Sequence, residues 1–72
     1  MNRLKEIRLD NDLTLLDLAK LTDISPSDIS QMENQKKYPF PGWRKKLAKA
    51  LGEKENYIFP GISKEESKDG DS

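Results

Sequence analysis

Two helix starts lie eleven residues apart in this chain, and that spacing restricts its fold more than any other feature. Leu13-Thr14-Leu15-Leu16-Asp17-Leu18 and Ile24-Ser25-Pro26-Ser27-Asp28-Ile29 share one form: apolar, hydroxyl, two residues, aspartate, apolar. The hydroxyl of Thr14 or Ser25 suits an N-cap, accepting from an orphan N–H of the first turn. Asp17 and Asp28 fall at the third helical position. There a carboxylate reaches back to the cap residue and favours the positive helix end. Leu13 is placed to staple to Leu18, and Ile24 to Ile29. Pro26 takes the first helical position, where its missing N–H costs nothing. The spacing leaves room for a helix of about two turns and a tight turn, the dimension of a helix-turn-helix. The pattern predicts helices from about Leu15 to Leu21 and from Pro26 to Glu33. Thr22-Asp23-Ile24 makes the turn, with Asp23 in a left-handed conformation that short polar residues tolerate.

The flanks read as more short helices. Leu4, Ile7 and Arg8 share a face of a helix from about Arg3 to Asp10, with Asn2 as cap and Asn11 as left-handed stop. Tyr38-Pro39-Phe40-Pro41 is an extended connector, because proline disfavours helix at the residue before it. A fourth helix runs from about Pro41 to Leu51, with Trp43, Leu47, Ala48 and Leu51 inward and Gly52 closing it. A last turn from Glu55 to Phe59 presents Ile58 and Phe59 to the core. The expected fold is all-α, a compact bundle of about five short helices without strands. It occupies residues 1–61, with the helix-turn-helix at about 14–33. Residues 62–72 contain one apolar residue, Ile62, and are expected to form a flexible polar tail.

Composition narrows the function. The chain has 72 residues, no cysteine and no histidine. The commonest general base and the commonest neutral metal ligand are both missing. Asp10, Asp12, Asp17 and Asp28 read as caps and turns rather than a converged acid pair. No enzyme, metal or cofactor is expected. The start, MNRLKEIRLDND, is charged and carries no apolar leader, and no stretch nears the roughly 18 apolar residues of a membrane span. A soluble, cytoplasmic protein is expected. Net charge is zero but unevenly spread. Residues 1–33 carry −3, residues 34–51 carry +6 without an acid, and residues 52–72 carry −3.

Leu13-Thr14, Leu18-Ala19, Ile24-Ser25, Ile29-Ser30-Gln31, Glu33-Asn34 and Leu47-Ala48-Lys49-Ala50-Leu51-Gly52 together resemble the phage repressor and Cro family, also called xenobiotic-response-element-like. The resemblance covers about residues 3–60. It implies a lambda-repressor-like domain of bacterial or phage type, a transcriptional regulator associated with the nucleoid. The second motif helix would lie in the major groove of double-stranded DNA, and a dimer would read two half-sites. The sequence departs from the family at three places: Leu15 stands where many members hold a phosphate with glutamine, Asp23 where the turn glycine is common, and Gln35 where glycine often follows the Glu-Asn pair.

With Ile29 and Met32 turned to the core, Pro26, Ser27, Ser30 and Gln31 are the base-reading candidates. Gln31 is the best of them, since its amide suits adenine N6 and N7. The resemblance places the loop after this helix on the phosphate backbone. Asn34, Lys36 and Lys37 are therefore phosphate candidates, joined by Arg44, Thr14 and Ser25. Asp28 is left out, because phosphate repels a carboxylate. Lys45, Lys46 and Lys49 read as spread around the fourth helix, in part ordinary solubility lysines. Arg8 and Glu33 border core positions, and the resemblance implies a structural ion pair between them, partly buried between the first and third helices. Trp43 reads as core rather than part of a base-stacking platform with Phe40 and Tyr38, and for Tyr38 and Phe40 both readings stay open. The alternative function is a protein-interaction module, antitoxin- or co-regulator-like, that takes a partner on the Leu15-Leu16 face. A homodimer, in solution or only on DNA, is a further open partner.

Overall fold

Thr14 starts the motif as its sequence requires. In the computed structural model, which describes residues 2–61, its hydroxyl accepts from the Asp17 N–H at 3.0 Å, and Asp17 Oδ2 accepts from the Thr14 N–H at 2.9 Å. This full capping box opens α2, Leu15–Thr22. Ser25 opens α3, Pro26–Glu33, by accepting from the Asp28 N–H at 3.1 Å. Between them Asp23 is left-handed at φ 60°, and its N–H donates to the Ala19 carbonyl at 2.7 Å. Around this pair stand α1, Leu4–Asp10, α4, Pro41–Leu51, and α5, Glu55–Ile58. All secondary structure in the described residues is helical, so the fold is all-α.

α2 packs on α3 and α4, α4 on α5, and α1 on α3. One core runs through all five helices: Leu4, Ile7, Leu18, Ile24, Ile29, Met32, Leu47, Leu51, Ile58 and Phe59 are buried. Each such side chain stabilises the fold by roughly 1.5–3 kcal/mol relative to exposure. Leu13, Leu15, Ala19, Trp43, Ala48 and Ala50 pack partly against it. Arg3, which precedes α1, donates its backbone N–H to the Ile58 carbonyl at 2.8 Å, and its guanidinium to the Tyr57 carbonyl at 2.6 Å. The beginning and end of the described chain are therefore joined.

Both ends of α1 differ from expectation. Asn11 is not the left-handed stop of α1: its φ is −95°, and Asp12 takes the left-handed position at φ 58°. Asn11 instead uses its amide to cap, donating Nδ2 to the Ile7 carbonyl at 2.8 Å. The Asp12 N–H then returns to Leu9 and the Leu13 N–H to Arg8, the paired bonds of a Schellman exit. Gln35 makes the same exit after α3 at φ 60°, with its N–H on Met32 and the Lys36 N–H on Gln31. The N-cap of α1 is Arg3 rather than Asn2, although Asn2 Oδ1 still accepts from the Leu4 N–H at 3.1 Å. The expected tail, 62–72, lies outside the described residues.

Candidate nucleic-acid interface

α3 is held by its inner face and offers its outer one. Ile29 and Met32 are buried, so successive 100° steps around the helix turn Ser27 and Gln31 outward. The two are one turn apart, and Gln31 Nε2 donates to Ser27 Oγ at 3.2 Å. Ser30 and Pro26 flank them, each half-buried. This set presents two hydroxyls, one amide and one apolar ring, with no cationic reader among them.

The loop after α3 carries the charge. Lys36 is exposed and projects from the Schellman exit. Asn34 is exposed, and its amide donates to the Ser30 carbonyl at 2.9 Å, leaving its second N–H to face outward. Lys37 bends back along the helix. Its Nζ lies 3.5 Å from Asp28 Oδ1, with both side chains about one-third exposed, and 5.9 Å from the Trp43 ring centroid. Thr14 and Ser25 are exposed at the two helix starts, each hydroxyl accepting one backbone N–H and keeping its own proton to donate.

Arg44 does not belong to this surface. It is 1% exposed, and its Nη1 donates to the Pro39 carbonyl. Its Nε lies 3.6 Å from Glu55 Oε1 on α5. A guanidinium packed inside the bundle cannot reach a phosphate, so Arg44 leaves the phosphate set and becomes the tie between connector, α4 and α5. A sequence signal for this existed: Arg44 stands three before Leu47 and seven before Leu51, on the face that they bury. The lysines of α4 also differ from expectation. Lys45, Lys46 and Lys49 are all exposed and share the side opposite Leu47 and Leu51, rather than ringing the helix. Lys46 and Lys49 flank a shallow groove with Leu21 and Asp23.

Leu15 is packed partly against the core, while Leu16 is 64% exposed. The face proposed for a protein partner is therefore chiefly Leu16. Trp43 is only partly buried and starts a ladder of rings. Phe40 meets it edge-on at 5.5 Å, and Tyr38 meets Phe40 edge-on at 5.4 Å. Phe40 and Tyr38 are both exposed. Sequence reasoning grouped these three rings only as a base-stacking platform and did not anticipate their edge-on packing on one another, and it missed the link from Lys37 to Asp28.

Behind α3, Arg8 and Glu33 face one another at 2.6 Å from Nε to Oε2, with a second bond at 3.2 Å from Nη2 to Oε1. Their side chains are 8% and 4% exposed. Arg8 Nη1 also donates to the Leu13 carbonyl at 2.8 Å, so one side chain links α1, the entry to α2 and the end of α3. On α2, the backbone N–H and then the hydroxyl of Thr14 hold the Asp17 carboxyl below its ordinary 3.8, and Lys20 adds to this.

A family model described as a helix-turn-helix domain matches residues 1–64. No curated protein and no solved structure matches the chain significantly. Among the described residues, no helix is long and apolar enough to cross a membrane.

Proposed function

The chain belongs to the helix-turn-helix domain family, and from that premise we propose that it is a sequence-specific, double-stranded DNA-binding transcriptional regulator of the repressor and Cro type, acting at the nucleoid and catalysing no reaction. The observation that carries this reading is the outward pair on α3, Ser27 with Gln31, followed at once by Lys36. A helix fixed by Ser25 at its start and by Ile29 and Met32 beneath suits insertion into the major groove. Gln31 would exchange its bond to Ser27 for adenine N6 and N7, with Ser27, Ser30 and Pro26 lining the edges of neighbouring bases. Lys36, Asn34, Thr14 and Ser25 would position the backbone, and Lys37 would join them only by parting from Asp28. With no arginine on this face, sites containing A·T pairs are favoured.

Selection of bound duplexes from a random pool tests the reading. Enriched A·T-containing sites are expected, paired as half-sites if two copies bind together. Affinity should fall with log salt at about −0.9 per phosphate neutralised. Gln31→Ala should relax preference at one position by about 1–3 kcal/mol. A failure to bind any duplex at low salt would refute the reading. A second reading, a protein-interaction module, is favoured by the exposure of Leu16 at 64%. Capture of a partner that Leu16→Lys abolishes and salt leaves unchanged would support it instead.

A further inference from the structure

The two halves of the repeat use the same aspartate differently. Asp17 closes its capping box at 2.9 Å, whereas Asp28 turns its carboxylate to Lys37, 3.5 Å away. Lys37 is half-buried, drawn in between that carboxylate and the Trp43 ring. Asp28 itself lies on the flank of α3, one residue from Ser27 and three from Gln31. It is the only acid on the helix besides Glu33, which is turned inward to Arg8.

We propose that Asp28 is a specificity-determining residue that holds Lys37 away from phosphate and so suppresses binding to DNA of arbitrary sequence. The proposal rests on the DNA-binding reading given above. A lysine facing the backbone alone would bind any sequence, because phosphate contacts carry no sequence information. A lysine already paired must first leave its carboxylate, and the carboxylate then stands unpaired beside the polyanion. In the unspecific complex the pair stays closed, and Lys37 neutralises no phosphate. Affinity then depends more heavily on what the α3 side chains find in the groove, which raises the ratio of specific to non-specific binding.

The test is a double-mutant cycle on salt dependence. Wild type, Asp28→Asn, Lys37→Gln and the double variant are titrated with a mixed-sequence duplex between about 50 and 200 mM salt. Asparagine keeps the side-chain volume, and the backbone bond from residue 28 to Ser25 does not need the carboxylate. In wild type, Lys37→Gln should leave the slope of log affinity against log salt almost unchanged. In the Asp28→Asn background the same change should reduce the slope by about 0.9, one phosphate. Asp28→Asn alone should tighten mixed-sequence binding about tenfold at the lowest salt, the worth of one added phosphate contact. Equal slope changes in both backgrounds would overturn the proposal while leaving DNA binding intact. An absence of duplex binding in all four proteins would instead overturn the DNA-binding reading, and this proposal with it.

Discussion

Arg44 shows how far a single residue can mislead. Its charge and its place at the start of a basic run mark it for phosphate, yet the inner-face period of α4 takes it into the bundle beside Leu47 and Leu51. Charge patterning and helical periodicity pointed in opposite directions, and burial won because a hydrogen bond to the Pro39 carbonyl and the Glu55 carboxylate receive the guanidinium. Arg44→Ala should lower stability by about 3 kcal/mol, from the cavity and the stranded carbonyl together. Urea melts measure this, and a loss under about 1 kcal/mol would contradict so structural a role. Gln31 and Ser27 were easier to place, because two buried neighbours, Ile29 and Met32, fix which way a short helix faces. The Asp28–Lys37 link was not legible, since nothing in the local pattern states that a loop lysine folds back.

At the scale of the helix, the starts were more readable than the exits. Start signals are side-chain hydrogen bonds with few chemical solutions: Thr14, Ser25 and Pro26 announce them. Exits depend on which residue accepts a left-handed backbone, and here three of the four after α1–α4 use a residue other than glycine: Asp12, Asp23 and Gln35. Only Gly52 fits the usual preference. Each of the others carries a steric cost of roughly 1–2 kcal/mol, somewhat less for aspartate. Gln35→Gly should therefore raise stability by about 1 kcal/mol after the added freedom of the unfolded chain is subtracted. Chemical denaturation tests this, and a destabilised variant would mean that the Gln35 side chain contributes to the loop. The start of α2 brings a pH dependence. The Asp17 carboxyl titrates lower in the folded chain than in the unfolded one, so the stability that it contributes is present above about pH 4 and is lost as pH falls through its depressed value. Asp17→Asn should remove that component. Melting temperatures of the two proteins should converge as pH drops from neutrality toward 2, while parallel curves would rule the capping box out as its source.

Over the whole molecule, the ion pair between Arg8 and Glu33 connects parts that local sequence cannot relate, 25 residues apart. It was expected because both residues border core positions and because the family resemblance implies such a pair. Its bidentate geometry and burial set a clear expectation. Glu33→Gln should cost about 3–5 kcal/mol by leaving a buried guanidinium without its carboxylate. Arg8→Met with Glu33→Leu should recover more than half of that, because apolar replacements no longer need desolvated charge. Thermal melts of the three proteins decide it, and a double variant no more stable than Glu33→Gln would refute mutual dependence. The fold as a whole was legible because one periodicity, the 3.6-residue helix, recurs in each element of the described chain. The outward face of α3 was legible and the placement of the neighbouring charges was not, because long side chains choose among several partners in space.

The bond from Arg3 to the Ile58 carbonyl closes the domain into a loop of chain whose entrance and exit coincide. A guest of that shape can be spliced into a surface turn of an unrelated host without prying the host's strands or helices apart. α3 would then be carried on a scaffold of choice, with α5 brought along as its fastening.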